Sequence, residues 1–254
     1  MIYLWNLIFY KPLYNALFGL VEVVPNNSLF IAVIMLTLIV RIIISPLSYK
    51  ALKTQLKTKA IQPELRAVKK ETEDKQEQAK KTLEIYKKHG VNPFSSFLLL
   101  LVQFPIIIAL YWVFRDGGLE VDPELLYYFV KIPGDIMRES LGIDLAGKSY
   151  ILALLAGLTQ YIHLSRSQSF KNQTADDENA SEQEKMMAKV GSSMKYFMPI
   201  MITVFAYIIG AAVALYWVTS NIFMIIQEHF IYKKINSQKD SDDGVIDVPF
   251  EKTS

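Results

Sequence analysis

Residues 29–47, "LFIAVIMLTLIVRIIISPL", form an apolar run that carries a single charge, Arg41. A run of about 17 to 25 apolar residues is what a helix needs to cross a hydrocarbon layer roughly 30 Å thick. Comparable runs occupy residues 94–114, 149–165 and 194–232. The last of these holds 39 residues and would extend about 58 Å as one helix at about 1.5 Å per residue. It is expected to fold as two spans, broken in "YIIGAAV" around Gly210. Composition agrees: 52% of the 254 residues are apolar and the mean hydropathy is +0.23, too apolar for an ordinary soluble domain. The expected fold class is an all-α membrane protein with five transmembrane helices, an N-terminal interfacial helix and a cytoplasmic helical hairpin.

The expected organisation follows from these runs. Residues 1–28 form the interfacial helix, 29–47 the first span, 48–93 the hairpin, 94–114 the second span and 115–148 an external loop. Residues 149–165 form the third span and 166–192 a polar loop. Residues 193–209 and 211–232 form the fourth and fifth spans, and 233–254 a disordered tail. The fourth span is short, so the bilayer thins beside it or the helix starts upstream near Val190.

Charge sets the orientation. Residues 48–93 hold twelve Lys and Arg against six Asp and Glu, whereas residues 115–148 hold four against seven. Basic short loops stay on the cytoplasmic side, which places the N-terminus outside and the C-terminus inside a cell membrane. Lys233 and Lys234, just past the last span, agree with this.

The first 24 residues, "MIYLWNLIFYKPLYNALFGLVEVV", lack a basic leading region, and Lys11-Pro12 interrupts the apolar part. Tyr3, Trp5, Tyr10 and Tyr14 among Leu and Ile suit an interfacial amphipathic helix on the outer leaflet. A cleaved signal peptide is the alternative. The absence of cysteine excludes disulfides and thiolate metal sites.

Between residues 50 and 90, helix formers dominate, with Ile61, Leu65 and Val68 on one side of a first segment and Leu83, Tyr86 and Ile85 on a second. Thr72 to Gln76 supplies a turn and Gly90 a stop. A helical hairpin and a plain solvated charged loop both fit this pattern.

One motif misleads. "GIDLAGKS", Gly142 to Ser149, matches the phosphate-loop pattern G-x-x-x-x-G-K-[ST], yet it precedes a membrane span on the face assigned as external. A working phosphate loop follows a strand in an α/β domain. His89, His163 and His229 are scattered without ligand spacing, and no G-x-S-x-G nucleophile occurs. An enzyme, a metal site and a cofactor are not expected.

Arg41 therefore carries the functional argument. An Arg at a helix centre costs about 2.5–3.5 kcal/mol on insertion scales and usually faces a bundle interior or a watery cavity. Arg41 lies six residues before Leu47, so snorkelling to the headgroups is the plainer explanation. Against it, Thr37 is one helical turn away on the same face. Gln103, Gln160, Thr219, Ser220, Asn221 and Gln227 add polar groups to other spans, where no acidic residue can neutralise Arg41. A hydrated groove open toward the cytoplasm accommodates them together.

The passages "YNALFGLV", "TLIVRIIISPLSYKAL", "IQPELRAVKKE", "GVNPFSSFLLLLVQFPIIIALYWVF", "LGIDLAGKSYILALLAGLTQYI" and "ALYWVTSNIFMIIQ" run in order across nearly the whole chain. In that combination the sequence resembles the YidC-type membrane protein insertases and their Oxa/Alb relatives. The resemblance implies a five-helix core around a hydrophilic groove, with Arg41 as the groove arginine, Thr37 its polar neighbour, Gln160 the glutamine of the third span and Trp217 the tryptophan of "LYW". Gln103 matches a glutamine in "VQFPI". It also accounts for the false phosphate loop, because the family has a similar "LGIDL" stretch before its third core span. Two departures stand out. Gly210-Ala211-Ala212 replaces a common Pro-Ala-Gly, and the tail lacks the long basic extension that some members use against ribosomes.

The function expected is insertion of nascent transmembrane segments into the bilayer without nucleotide hydrolysis. The partners expected are nascent membrane proteins and lipids, together with the ribosome, targeting factors or a larger translocon, and no nucleic acid. The alternative is a small-molecule or anion transporter or channel using Arg41 as its binding site.

Overall fold

A computed structural model describes residues 2–72, 74–92, 95–114, 121–167 and 182–239. It is mostly helical. Helix α1 spans Ile2–Trp5 and continues through a π-helical turn, Asn6–Tyr10, into α2, Lys11–Val23. Then come α3, Leu29–Ala60, α4, Gln62–Glu71, α5, Lys75–Lys88, and α6, Ser95–Phe114. The chain continues into α7, Tyr150–Arg166, α8, Glu182–Ile209, and α9, Ala211–Lys239. Among the described residues the only strands are β1, Glu139–Ser140, and β2, Ile143–Asp144, an antiparallel pair.

Among the described residues, two helices are long and apolar enough to cross a membrane, α3 and Ala211–Ile235 of α9. Shorter apolar helical stretches are Phe104–Phe114 and Ser193–Ile209. Helix α3 does not stop at Leu47. It passes through Pro46 and ends at Ala60, thirteen residues past Leu47. Proline removes one backbone N–H from a helix, but "SYKALKTQLKTKA" after it consists largely of good helix formers.

The chain divides into two compact units. The first contains residues 1–43 and 103–227. Its core is lined with small residues, Ala32, Ala109, Ala153, Ala156 and Ala206, together with Leu17, Phe18 and Val21 of α2. Residues 211–216, "AAVALY", are all buried, so the start of α9 is covered on every side. A helix apolar all round belongs inside its bundle. Small side chains allow this by letting helix backbones approach closely, as membrane helices commonly do.

Gly157 shows the closest approach. A Cβ there would collide with the Thr203 side chain and come within 2.9 Å of the Pro199 carbonyl, so α7 and α8 pack at this height only because position 157 has no side chain. The outward faces are apolar: Ile151, Leu154, Leu158 and Ile162 on α7, and Phe197, Ile200, Val204 and Ile208 on α8, are all exposed. Their spacing of three to four residues marks one stripe on each helix. Such continuous exposed apolar faces belong against lipid or a partner, not water.

In the second unit, residues 44–102 and 228–254, α4 and α5 fold against each other around Ile61, Leu65 and Val91, with Ile85 and Tyr86 alongside. The break between the helices falls between Glu71 and Lys75, where Asp74 caps α5 by accepting from Gln76 N at 2.9 Å. Gly90, with φ +60°, follows the C-terminal cap of α5. Glu64 of α4 faces His89 at 2.9 Å and Lys88 at 3.4 Å. The close approach of the His89 imidazole, with Lys88 nearby, holds the Glu64 carboxyl below its usual range.

Candidate functional site

Arg41 lies in the first unit on α3 and is 92% buried by surface, with 8% of it exposed. Its Nε donates a 2.7 Å hydrogen bond to Ser220 Oγ on α9. The same side chain hydrogen-bonds Tyr216, one helical turn before Ser220 and hence on the same face of α9. Among the described residues no carboxylate pairs with Arg41. The guanidinium has five N–H donors, and two hydroxyl oxygens offer at most four acceptor sites. The arginine is thus held here by neutral hydroxyl partners.

Thr37 is buried on the same helix, and its hydroxyl donates back to the Val33 carbonyl at 2.6 Å. Such a bond lets a hydroxyl sit in an apolar helix without a partner elsewhere. Trp217 is buried beside Tyr216. Gln160 on α7 is half-buried, and no hydrogen bond joins it to Arg41. The Gln103 side chain lies outside the described residues.

A second polar contact lies between α7 and α9. Asn221 is buried and its Nδ2 donates to the Ala156 carbonyl at 3.3 Å and to Thr159 Oγ1 at 3.2 Å. Its Oδ1 is buried without a hydrogen-bond partner among the described residues. Consecutive residues of α9 therefore reach two different neighbours, Ser220 to α3 and Asn221 to α7. In the sequence, Ser220 and Asn221 stand out as polar residues of the last span without an assigned place in the site, and Tyr216 does not stand out at all. The available signal was the four-residue spacing of Tyr216 and Ser220.

The phosphate-loop lookalike has a structural use. Leu141 and Gly142, at φ +54° and +74°, turn the β1–β2 hairpin. Asp144 takes up the backbone donors that a phosphate would need: its Oδ1 accepts from Ala146 N at 2.9 Å and its carbonyl from Gly147 N at 3.2 Å. Ser149 caps α7 by accepting from Leu152 N at 3.3 Å. Lys148 sits over the Tyr207 ring, 5.4 Å from its centre. The Gly147 carbonyl accepts from Ala211 N at 2.9 Å, beside Gly210 at φ +136°. The loop thereby ties down the turn between α8 and α9.

Among the described residues no group of three His, Asp or Glu converges as a metal site.

The family model described as 60Kd inner membrane protein matches residues 20–239 of the chain. The chain belongs to the 60Kd inner membrane protein family. The match includes all five residues singled out from the sequence, Thr37, Arg41, Gln103, Gln160 and Trp217, and the Tyr216–Ser220 pair. A relative from Oceanobacillus iheyensis named membrane protein insertase YidC is 33% identical over 241 residues, 93% of this chain and 86% of its own. One of the same name from Clostridium tetani is 34% identical over 204 residues, 80% of this chain and 81% of its own. Membrane protein insertase MisCA of Bacillus subtilis is 28% identical, over 89% of this chain and 78% of its own. These 60Kd inner membrane protein relatives are named as insertases, not as enzymes. As a member of their family, the chain is a membrane protein.

Proposed function

We propose that this protein is a membrane protein insertase that moves nascent transmembrane segments from the cytosol into the bilayer, using Arg41 as the polar centre of its path and no nucleotide. The observation that carries this reading is Arg41 itself, buried in an apolar helix and, among the described residues, hydrogen-bonded to the hydroxyls of Ser220 and Tyr216 with no carboxylate beside it. The names of relatives at 33% and 34% identity support the activity.

In this reading five helices cross the membrane, with the α4–α5 hairpin and the C-terminus in the cytosol and the loop of residues 115–148 outside. A segment with a short polar flank enters beside Arg41. N–H groups that neither hydroxyl takes offer it charge-assisted hydrogen bonds, lowering the cost of bringing polar groups into a low dielectric. Asn221 Oδ1 and Gln160 extend the polar path. The driving force comes from the substrate: each Leu, Ile, Phe or Val at a span centre contributes about −0.3 to −0.6 kcal/mol on entering lipid. Twenty such residues favour insertion by several kcal/mol. Arg41 breaks no bond; it lowers a barrier. Nascent membrane proteins are the substrates, lipids receive them, and ribosomes, targeting factors or a larger translocon deliver them.

Site-specific photocrosslinking tests the path. A crosslinker at Gln160 is expected to capture an arrested nascent chain, whereas one at Leu154, on the exposed face of the same helix, is expected to capture lipid. Capture of the nascent chain only at Leu154 contradicts the assignment.

A further inference from the structure

The loop between α6 and α7 carries an aromatic tip that the insertion mechanism does not use. Tyr128 is fully exposed, Phe129 is 66% exposed and Ile132 is 58% exposed. Their rings cluster, Tyr128 edge-on to Phe129 at 5.3 Å and Tyr127 against Phe129 at 5.4 Å. A turn closed by Val130 N donating to the Tyr127 carbonyl at 2.9 Å holds them together. An exposed apolar cluster of this kind is costly in water and marks a contact surface.

The loop's position identifies the contact. Leu29 N, at the first residue of the apolar helix α3, donates to the Met137 carbonyl at 3.0 Å, and Met137 N donates to the Asn27 carbonyl at 3.1 Å. The loop is thereby fastened at the level where the α3 span begins. Its base is fastened to α2: the buried Asn15 donates to the Leu125 carbonyl at 2.8 Å and accepts from Tyr127 N at 2.6 Å. Tyr14 Oη accepts from Asp122 N at 2.7 Å. Lys131, at the tip and widely exposed, lies 3.7 Å from Glu22, next to the exposed Val23. Tyr and Phe beside an exposed Lys, at the end of a span, are the chemistry of a headgroup layer.

We propose that Tyr128, Phe129 and Ile132 form a membrane-interface anchor, seated in the headgroup region of the leaflet at the Leu29 end of α3, with Lys131 toward lipid phosphate. The anchor holds the loop and α2 against the bilayer surface. It does not rest on the insertase reading.

The chain has no cysteine, so Phe129→Cys accepts a single environment-sensitive fluorophore on the full-length protein. The labelled protein is placed in nanodiscs of phosphatidylglycerol and phosphatidylcholine, one copy per disc, where both faces meet the solvent. A seated tip gives blue-shifted emission, strong quenching by lipids bearing a nitroxide near the headgroup, and iodide quenching several-fold weaker than for the free dye. Full iodide quenching with no effect of the nitroxide lipid overturns the proposal. Protection from both quenchers means the tip is covered by protein, and it overturns the lipid assignment as well. Adding Tyr128→Ser and Ile132→Ser to the labelled protein is expected to raise iodide access and reduce lipid quenching. Because these side chains are exposed, the substitutions leave the packed core intact, which a circular dichroism melt of each variant verifies.

Discussion

Arg41 of α3 and Ser220 of α9, 179 positions apart in the chain, share a 2.7 Å hydrogen bond in the interior of the helical bundle. A hydrogen bond to a charged group typically contributes about 1.5–3 kcal/mol, and this one orients the only charge in the apolar part of α3. Ser220→Ala is expected to destabilise the protein by about that amount and to reduce insertion. A thermal melt in detergent measures the first effect and a reconstituted insertion assay the second. Unchanged values in both would mean that the bond positions nothing.

The α7–α8 contact at Gly157 admits no side chain. A Cβ at Gly157 meets Thr203, which can turn, and the Pro199 carbonyl, which cannot. Gly157→Ala is expected to cost about 1–3 kcal/mol, the usual range for overpacking, and Thr203→Ala should restore only part of it. Full restoration in a double-mutant melt would show that the backbone carbonyl does not limit the packing.

Gly210 turns the chain between α8 and α9 at φ +136°, a conformation that residues with a Cβ rarely adopt. Gly210→Ala is expected to destabilise by about 1–3 kcal/mol. Loosening of the adjacent hairpin, where Gly147 accepts from Ala211 N, should appear as faster amide exchange at Ala211.

The α4–α5 hairpin is expected to respond to acid through Glu64. Its carboxyl is held below its usual value of 4.5, first by the adjacent His89 imidazole and further by Lys88. A carboxyl with a depressed folded-state pKa contributes stability that is fully present above its unfolded value and is lost as pH falls through the folded value. The hairpin is expected to keep this contribution at neutral pH and to lose it in acid below about pH 4.5. Glu64→Gln should flatten that acid limb of a pH-resolved melt. An acid limb identical in wild type and variant would assign it to other carboxylates.

Much of the helix content can be read from the sequence because long apolar runs and dense helix formers leave few alternatives. The end of α3 is less legible. Pro46 suggests a boundary, but membrane helices tolerate proline where local adjustments satisfy the freed carbonyl, and the helix formers that follow carry α3 to Ala60. Arg41 and Thr37 stand out because a polar residue is conspicuous in an apolar run. Their bonding does not. Thr37 turns back on Val33, and Arg41 reaches Ser220 and Tyr216, because the buried, alanine-rich start of α9 lies within the bundle. That docking depends on which helices meet, and one helix's pattern holds no record of it.

The account centres on Arg41 as the polar element of nucleotide-independent insertion. Its most direct test is protease protection of a small single-span substrate added to liposomes that contain only this purified protein, without nucleotide, comparing wild type with Arg41→Ala. The account predicts that wild type protects the substrate and that the folded variant, verified by its melt, loses most of that protection. Equal protection by both proteins would contradict the role assigned to Arg41.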